Sequence, residues 1–170
     1  QRQMCIRDRL MFYYRPTIEY AYTDIMDLTE QVPFGIMREI HRWGAHAMVI
    51  SVWLHMFRVF MTGSYKPPRE FNWSIGVILL ILTLLLSFTG YLLPWDTLAY
   101  GAAVIGINLA NATPLIGKYI ATLLFSGSSL SHRTVTRMYF IHVFILPVIV
   151  TTLIIIHLFI VWVQGIAEPH

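Results

Sequence analysis

The stretch SIGVILLILTLLLSFTGYLL, residues 74–93, decides the fold: 20 consecutive residues pass without one charged side chain. A helix crossing a bilayer needs about 20 such residues. In hydrocarbon every backbone N–H and C=O must be paired within its own segment, so an apolar run of this length reads as a transmembrane helix. Two further stretches read the same way. Residues 138–163 contain no Asp, Glu, Lys or Arg, only His142 and His157. Residues 43–61 are less pure, with His46, His55 and Arg58. The expected fold is therefore all-α, a transmembrane helical bundle, with helices over about 38–63, 74–93 and 134–165 and an external connection over 94–133.

Composition agrees. Of 170 residues, 56% are hydrophobic and only 12% charged, and mean hydropathy is +0.62. A soluble domain carries roughly 25% charged residues, so much of this surface must face membrane lipid. The formal charge of +3 is too small and scattered to argue for nucleic acid, so no nucleic-acid partner is expected. The single cysteine, Cys5, rules out a disulfide framework or cysteine metal cluster within the chain.

Loop charge sets the orientation. Residues 63–73 carry Lys66 and Arg69 against Glu70, with Arg58 just before them, and are expected on the cytoplasmic side. Residues 17–30 carry Glu19, Asp24, Asp27 and Glu30 with no Lys or Arg, and are expected outside. The external connection is too apolar for a plain linker; Ala102-Ala103-Val104-Ile105 and residues 119–125 read as short helices at the interface. Met11-Phe12-Tyr13-Tyr14 reads as the tail of a further spanning helix, making the bundle a four-helix one whose first helix is largely missing. Residues 1–9, with Cys5 among them, read as a non-native leader, which leaves 10–170 as the membrane domain.

The histidines carry the chemistry. His41 and His55 are 14 residues apart, which at 100° per residue falls about 40° short of four turns and spans roughly 21 Å. His142 and His157 are 15 apart, about 60° past four turns and roughly 22 Å. By the orientation above the two helices run parallel, so His41 faces His142 on the outer side and His55 faces His157 on the inner side. Paired imidazoles on neighbouring helices are what a low-spin haem iron takes as axial ligands, and two such haems make a transmembrane path for electrons. Histidines hydrogen-bonded to neighbouring helices are the competing explanation; the matched intervals favour haem. His46 lies off this seam and reads as a packed polar residue, and His132 reads as a loop residue before the last helix.

Arg38 and Arg58 sit three residues from His41 and His55, each displaced toward its nearer membrane surface, where guanidinium can pair with haem propionate. For Arg58, snorkelling to lipid headgroups accounts equally well. Arg38 is the more telling, because a cation near a helix N-terminus opposes the macrodipole. Gly76 and Gly90 are also 14 apart. A mid-helix glycine costs about 1 kcal/mol against alanine, and at this interval it would let a flat macrocycle approach the backbone. Close helix packing competes with that reading.

These residues fall into recognisable motifs. His41-Arg42-Trp43-Gly44-Ala45, Leu54-His55-Met56-Phe57-Arg58, Ser74-Ile75-Gly76-Val77-Ile78-Leu79-Leu80, Gly90-Tyr91-Leu92-Leu93-Pro94-Trp95, and Thr136-Arg137 followed by His142 and Pro147 resemble the amino-terminal half of cytochrome b. Phe12-Tyr13-Tyr14-Arg15-Pro16-Thr17, the 15-residue histidine interval and Gln164-Gly165-Ile166 are more similar to the short, split b6 type. Tyr100-Gly101-Ala102 is more similar to the long type, so the chain reads as a bacterial cytochrome b of intermediate character.

The resemblance implies a subunit of a quinol:cytochrome c or plastocyanin oxidoreductase in a bacterial cytoplasmic membrane, with two haem b and quinone as substrate. It implies a Rieske-type iron–sulfur protein, a c-type cytochrome, the carboxy-terminal half of cytochrome b and a dimeric complex as partners. It assigns Arg137 to cofactor binding, and Phe88, Tyr91, Tyr100 and Gly101 to the lining of an external quinol site, where interfacial aromatic packing is the alternative. Two departures bear on this. The acidic motif that the external quinol site needs lies in the carboxy-terminal half, and the long type's extra histidine near the inner quinone site is replaced here by Ile160-Val161-Trp162-Val163. The split type's third, covalently attached haem depends on the first helix, so these residues neither require nor exclude it. A di-haem anchor of a formate dehydrogenase or hydrogenase lacks the Pro94-Trp95 loop. A haem-free structural or transport protein would group its histidines at one depth.

Overall fold

The computed structural model describes residues 14–30 and 34–165. The expected leader, Cys5, Phe12, Tyr13, Ile166 and His170 lie outside the described residues. Six further α-helices follow α1 (Ala21–Glu30): α2 (Phe34–Met61), α3 (Glu70–Leu92), α4 (Thr97–Ala112), α5 (Gly117–Phe125), α6 (His132–Phe140) and α7 (Leu146–Gln164). A π-helical turn, Ile141–Ile145, joins α6 to α7 without a break. No strand occurs among the described residues. Three helical runs are long and apolar enough to cross a membrane: Gly35–Met61, Glu70–Leu92 and His132–Gln164.

Each run begins a few residues before the purely apolar stretch. Glu70 occupies the first turn of α3, where a carboxylate complements the helix dipole. A capping box of Ser131 and Thr134 starts α6, so His132 is its first residue and not a loop residue. Helix α2 starts at Phe34, which puts Arg38 beyond the first turn. The dipole penalty falls off within that turn, so it does not set Arg38 apart. The π turn has a cause in the sequence: Pro147 offers no N–H to the Val143 carbonyl and its ring crowds that oxygen. A π turn takes up one extra residue, so the 100° arithmetic does not hold across Ile141–Ile145.

The chain divides into two units: residues 14–41 with 88–142, and residues 42–87 with 143–165. In the first, Leu92, Ala103, Ile107, Ala110, Ala121, Phe125 and Met138 form a buried cluster. Small residues let the helices come close: a Cβ on Gly117 would lie 2.5 Å from the Ala110 carbonyl oxygen, and one on Gly106 would meet Phe88 and Phe125 below 3 Å. Asp96 caps α4 by accepting from the Ala99 N–H. The Arg137 guanidinium donates to the carbonyls of Thr122 and Leu123 in the last turn of α5, a position where a cation complements the dipole.

The segment before α1 is strapped onto this unit. Tyr14 donates its hydroxyl hydrogen to the Leu93 carbonyl, and its ring lies 5.3 Å from that of Tyr139. Arg15 grips Asp24 through its backbone N–H (2.8 Å), Nε (3.0 Å) and Nη2 (2.6 Å). This bonding raises the pKa of Arg15 above its ordinary value, so it stays charged.

The second unit is built differently. Its large apolar side chains point outward, Trp162 being 79% exposed, Phe71 68% and Trp53 61%. Surfaces of this extent suit lipid and not water. Within the unit, space is left between the helices, and it opens as a cavity of about 200 Å³ whose wall includes His55 and His157.

Candidate haem sites

In the first unit the His41 ring, on α2, and the His142 ring, on the π turn, have centroids 6.1 Å apart with planes at 81°. In the second, His55 on α2 and His157 on α7 are 6.5 Å apart at 84°. A metal–imidazole bond of about 2 Å, plus about 1 Å from nitrogen to ring centre, puts two rings on one metal about 6 Å apart. Both separations fit that figure. His41 and His55 are exposed and His142 and His157 half-buried, so each pair has room beside it. No three His, Cys, Asp or Glu residues converge among the described residues, so neither pair gains the third protein ligand that zinc-type centres take. Two facing imidazoles with an open equator suit a planar macrocycle.

Each pair has its glycine, and the two glycines differ. A Cβ on Gly90 would stand 2.6 Å from Cε1 of His142 and 3.2 Å from either ring nitrogen, so this ring lies directly on the glycine. A Cβ on Gly76 would meet only His157 Cε1 and Met56 Sδ, both at ordinary contact of 3.7 Å. A side chain at position 90 would thus displace the His142 ring, whereas position 76 leaves a cradle.

Arg58 lines the inner cavity with Met56, Asn72 and Trp73. The Asn72 Oδ1 and Gln164 Oε1 atoms on its wall are buried without hydrogen-bond partners among the described residues. Buried polar atoms of this kind are exceptional and suit a polar group from outside the chain. Arg38 is engaged with Thr29 Oγ1 at 3.1 Å and Glu39 Oε1 at 3.3 Å. His46 is exposed and bonds its own helix at the Arg42 carbonyl (2.7 Å), apart from either pair.

The family model described as "Cytochrome b(N-terminal)/b6/petB" matches residues 46–170. The chain belongs to the cytochrome b/b6 family. Cytochrome b6 of Heliomicrobium gestii is 42% identical over 161 residues, covering 94% of this chain and 76% of that protein. That of Heliobacterium modesticaldum is 43% identical with the same coverage, and that of Acaryochloris marina 41%, covering 75% of its length. A solved chain from a hyperthermophilic respiratory complex III superimposes at a TM-score of 0.83 with 31% identity, over 94% of this chain but only 44% of that one. As a cytochrome b/b6 chain with three membrane-capable helices, it is a multi-pass membrane protein. The family match contains His55, His142 and His157, whereas His41 precedes it.

The aromatic residues expected at a quinol site all fall in the first unit of this cytochrome b/b6 chain. Phe88 meets Phe125 edge-on at 6.4 Å, Tyr100 meets Trp95 at 5.9 Å, Tyr91 is 51% exposed, and nothing lies within 4 Å of a Cβ on Gly101. Trp95 holds φ +51°, the turn that sends the chain from α3 into α4. Sequence reasoning passed over Thr89, Met56, Asn72 and Trp73. A signal existed for two of them: Thr89 adjoins Gly90, and Asn72 is one turn before Gly76 on the same face.

Proposed function

We propose that this chain conducts electrons across a membrane between two b-type haems, as the cytochrome b subunit of a quinol:cytochrome c or quinol:plastocyanin oxidoreductase. The observation that carries the proposal is the pair of imidazole pairs, 6.1 and 6.5 Å between centroids, each beside a glycine of α3. Its cytochrome b6 and complex III relatives support the same reading. His41 and His142 hold the outer haem, and His55 and His157 the inner one. Arg58 neutralises propionate at the inner site; Arg38 and Arg137 do so at the outer. Gly90 and Gly76 keep side chains out of the space beside each histidine. When bound, the haems supply one-electron chemistry that side chains lack.

Phe88, Tyr91, Tyr100 and Gly101 receive the quinol ring on the outer side, beside the Pro94-Trp95 turn. The three aromatic faces bind and orient it and exclude water, and Gly101 leaves room beside them; none of the four provides a base, which must come from the carboxy-terminal half of the subunit. A Rieske-type protein and a c-type cytochrome take the exported electron. The complex is dimeric and lies in a bacterial cytoplasmic membrane.

Single replacements of the four histidines by alanine test the assignment in the intact complex. Haem per chain and reduced-minus-oxidised spectra should show the same haem lost for His41 and His142, and the other for His55 and His157. Retention of both haems in all four variants would contradict it.

A further inference from the structure

The Thr89 hydroxyl lies 3.1 Å from Nδ1 of His142, across from α3 to the π turn. Thr89 is completely buried. Several hydroxyls in the long helices bond their own backbone, as when Thr83 donates to the Leu79 carbonyl and Thr152 to that of Val148. Thr89 lies within hydrogen-bond distance of an imidazole 53 residues away, and a hydroxyl oxygen has two lone pairs with which to accept. Its neighbour Gly90 leaves room for the ring, since a Cβ there would stand 2.6 Å from Cε1. The ring thus occupies space that a side chain at position 90 would fill, with the Thr89 oxygen at one nitrogen.

We propose that Thr89 is a positioning residue for the outer haem, its hydroxyl oxygen accepting the Nδ1–H of His142 and thereby presenting Nε2 to the iron and lowering that haem's reduction potential. This rests on the haem reading above. The chemistry is general: the acceptor on a ligating histidine's second nitrogen fixes tautomer and ring orientation and raises ligand basicity. A more basic axial ligand favours ferric over ferrous iron. The buried location strengthens the bond and keeps water from replacing it.

The test is a potentiometric measurement of both haems in the intact complex for the parent, Thr89→Val, Thr89→Ser and Thr89→Ala. Valine keeps the shape and removes the oxygen; serine keeps the oxygen. In Thr89→Val the outer haem should become easier to reduce by a factor on the order of ten, about 59 mV for one electron. Serine should return the parent value, with the inner haem unmoved in every variant. An unchanged potential in the valine variant, or equal shifts in valine and serine, overturns the proposal. Loss of the outer haem from the valine and alanine variants but not from serine supports it; loss from all three overturns it. Failure of the haem reading itself would look different: a parent without haem, or a His142→Ala variant retaining both.

Discussion

Replacing Gly90 by alanine should remove the outer haem and leave the inner one. The new Cβ would stand 2.6 Å from Cε1 of His142, 0.8 Å inside the 3.4 Å at which ordinary contact begins. The ring must therefore move by close to 1 Å, about half the length of the metal–imidazole bond it would otherwise make. In the haem-free chain the change is mild. Overpacking costs about 1–3 kcal/mol, and alanine recovers about 1 kcal/mol over glycine in a helix. The net loss is about 0–2 kcal/mol, too little to unfold the chain.

Gly76→Ala is the control. Its Cβ meets His157 and Met56 at 3.7 Å, so the haem-free chain gains about 1 kcal/mol of helix propensity, and any loss of the inner haem must come from the macrocycle itself. The assay is haem per chain together with thermal unfolding of the haem-free protein in detergent. Two haems at parent potentials in Gly90→Ala would refute the reasoning.

Two contacts outside the sites carry smaller expectations. Asp24→Asn breaks the charged grip on Arg15, whose side chain is 57% exposed; exposure limits the cost to about 1 kcal/mol, read as a modest drop in unfolding temperature with both haems retained. Arg137→Gln removes the donor to the Thr122 and Leu123 carbonyls and should cost about 1–2 kcal/mol. Because Arg137 also serves the outer propionate, that haem should be lost or shifted too; a change in stability alone would contradict that role.

What the sequence made legible follows from periodicity. Three spans were readable because lipid imposes an unbroken apolar run, and the histidine pairs because 14 residues return nearly to the same face of a helix. The π turn was not readable from spacing, since the arithmetic assumes one helix type throughout; Pro147 was its one local signal. The connection over 94–133 is more helical than expected, because the Asp96 cap extends α4 over 16 residues. Arg137 as a cap for α5 and Thr89 as a partner of His142 depend on residues 14 to 53 positions away. Only the fold brings those together. Gly76 and Gly90 looked equivalent in sequence, and only the ring positions tell a crowded position from an open cradle.

The most direct test of the account is haem stoichiometry by pyridine haemochrome on the purified complex, combined with a redox titration. Two b haems for each copy of this chain, with two separate potentials, are predicted. One haem, or none in a folded and membrane-inserted protein, would contradict the electron path and return the histidine pairs to packing.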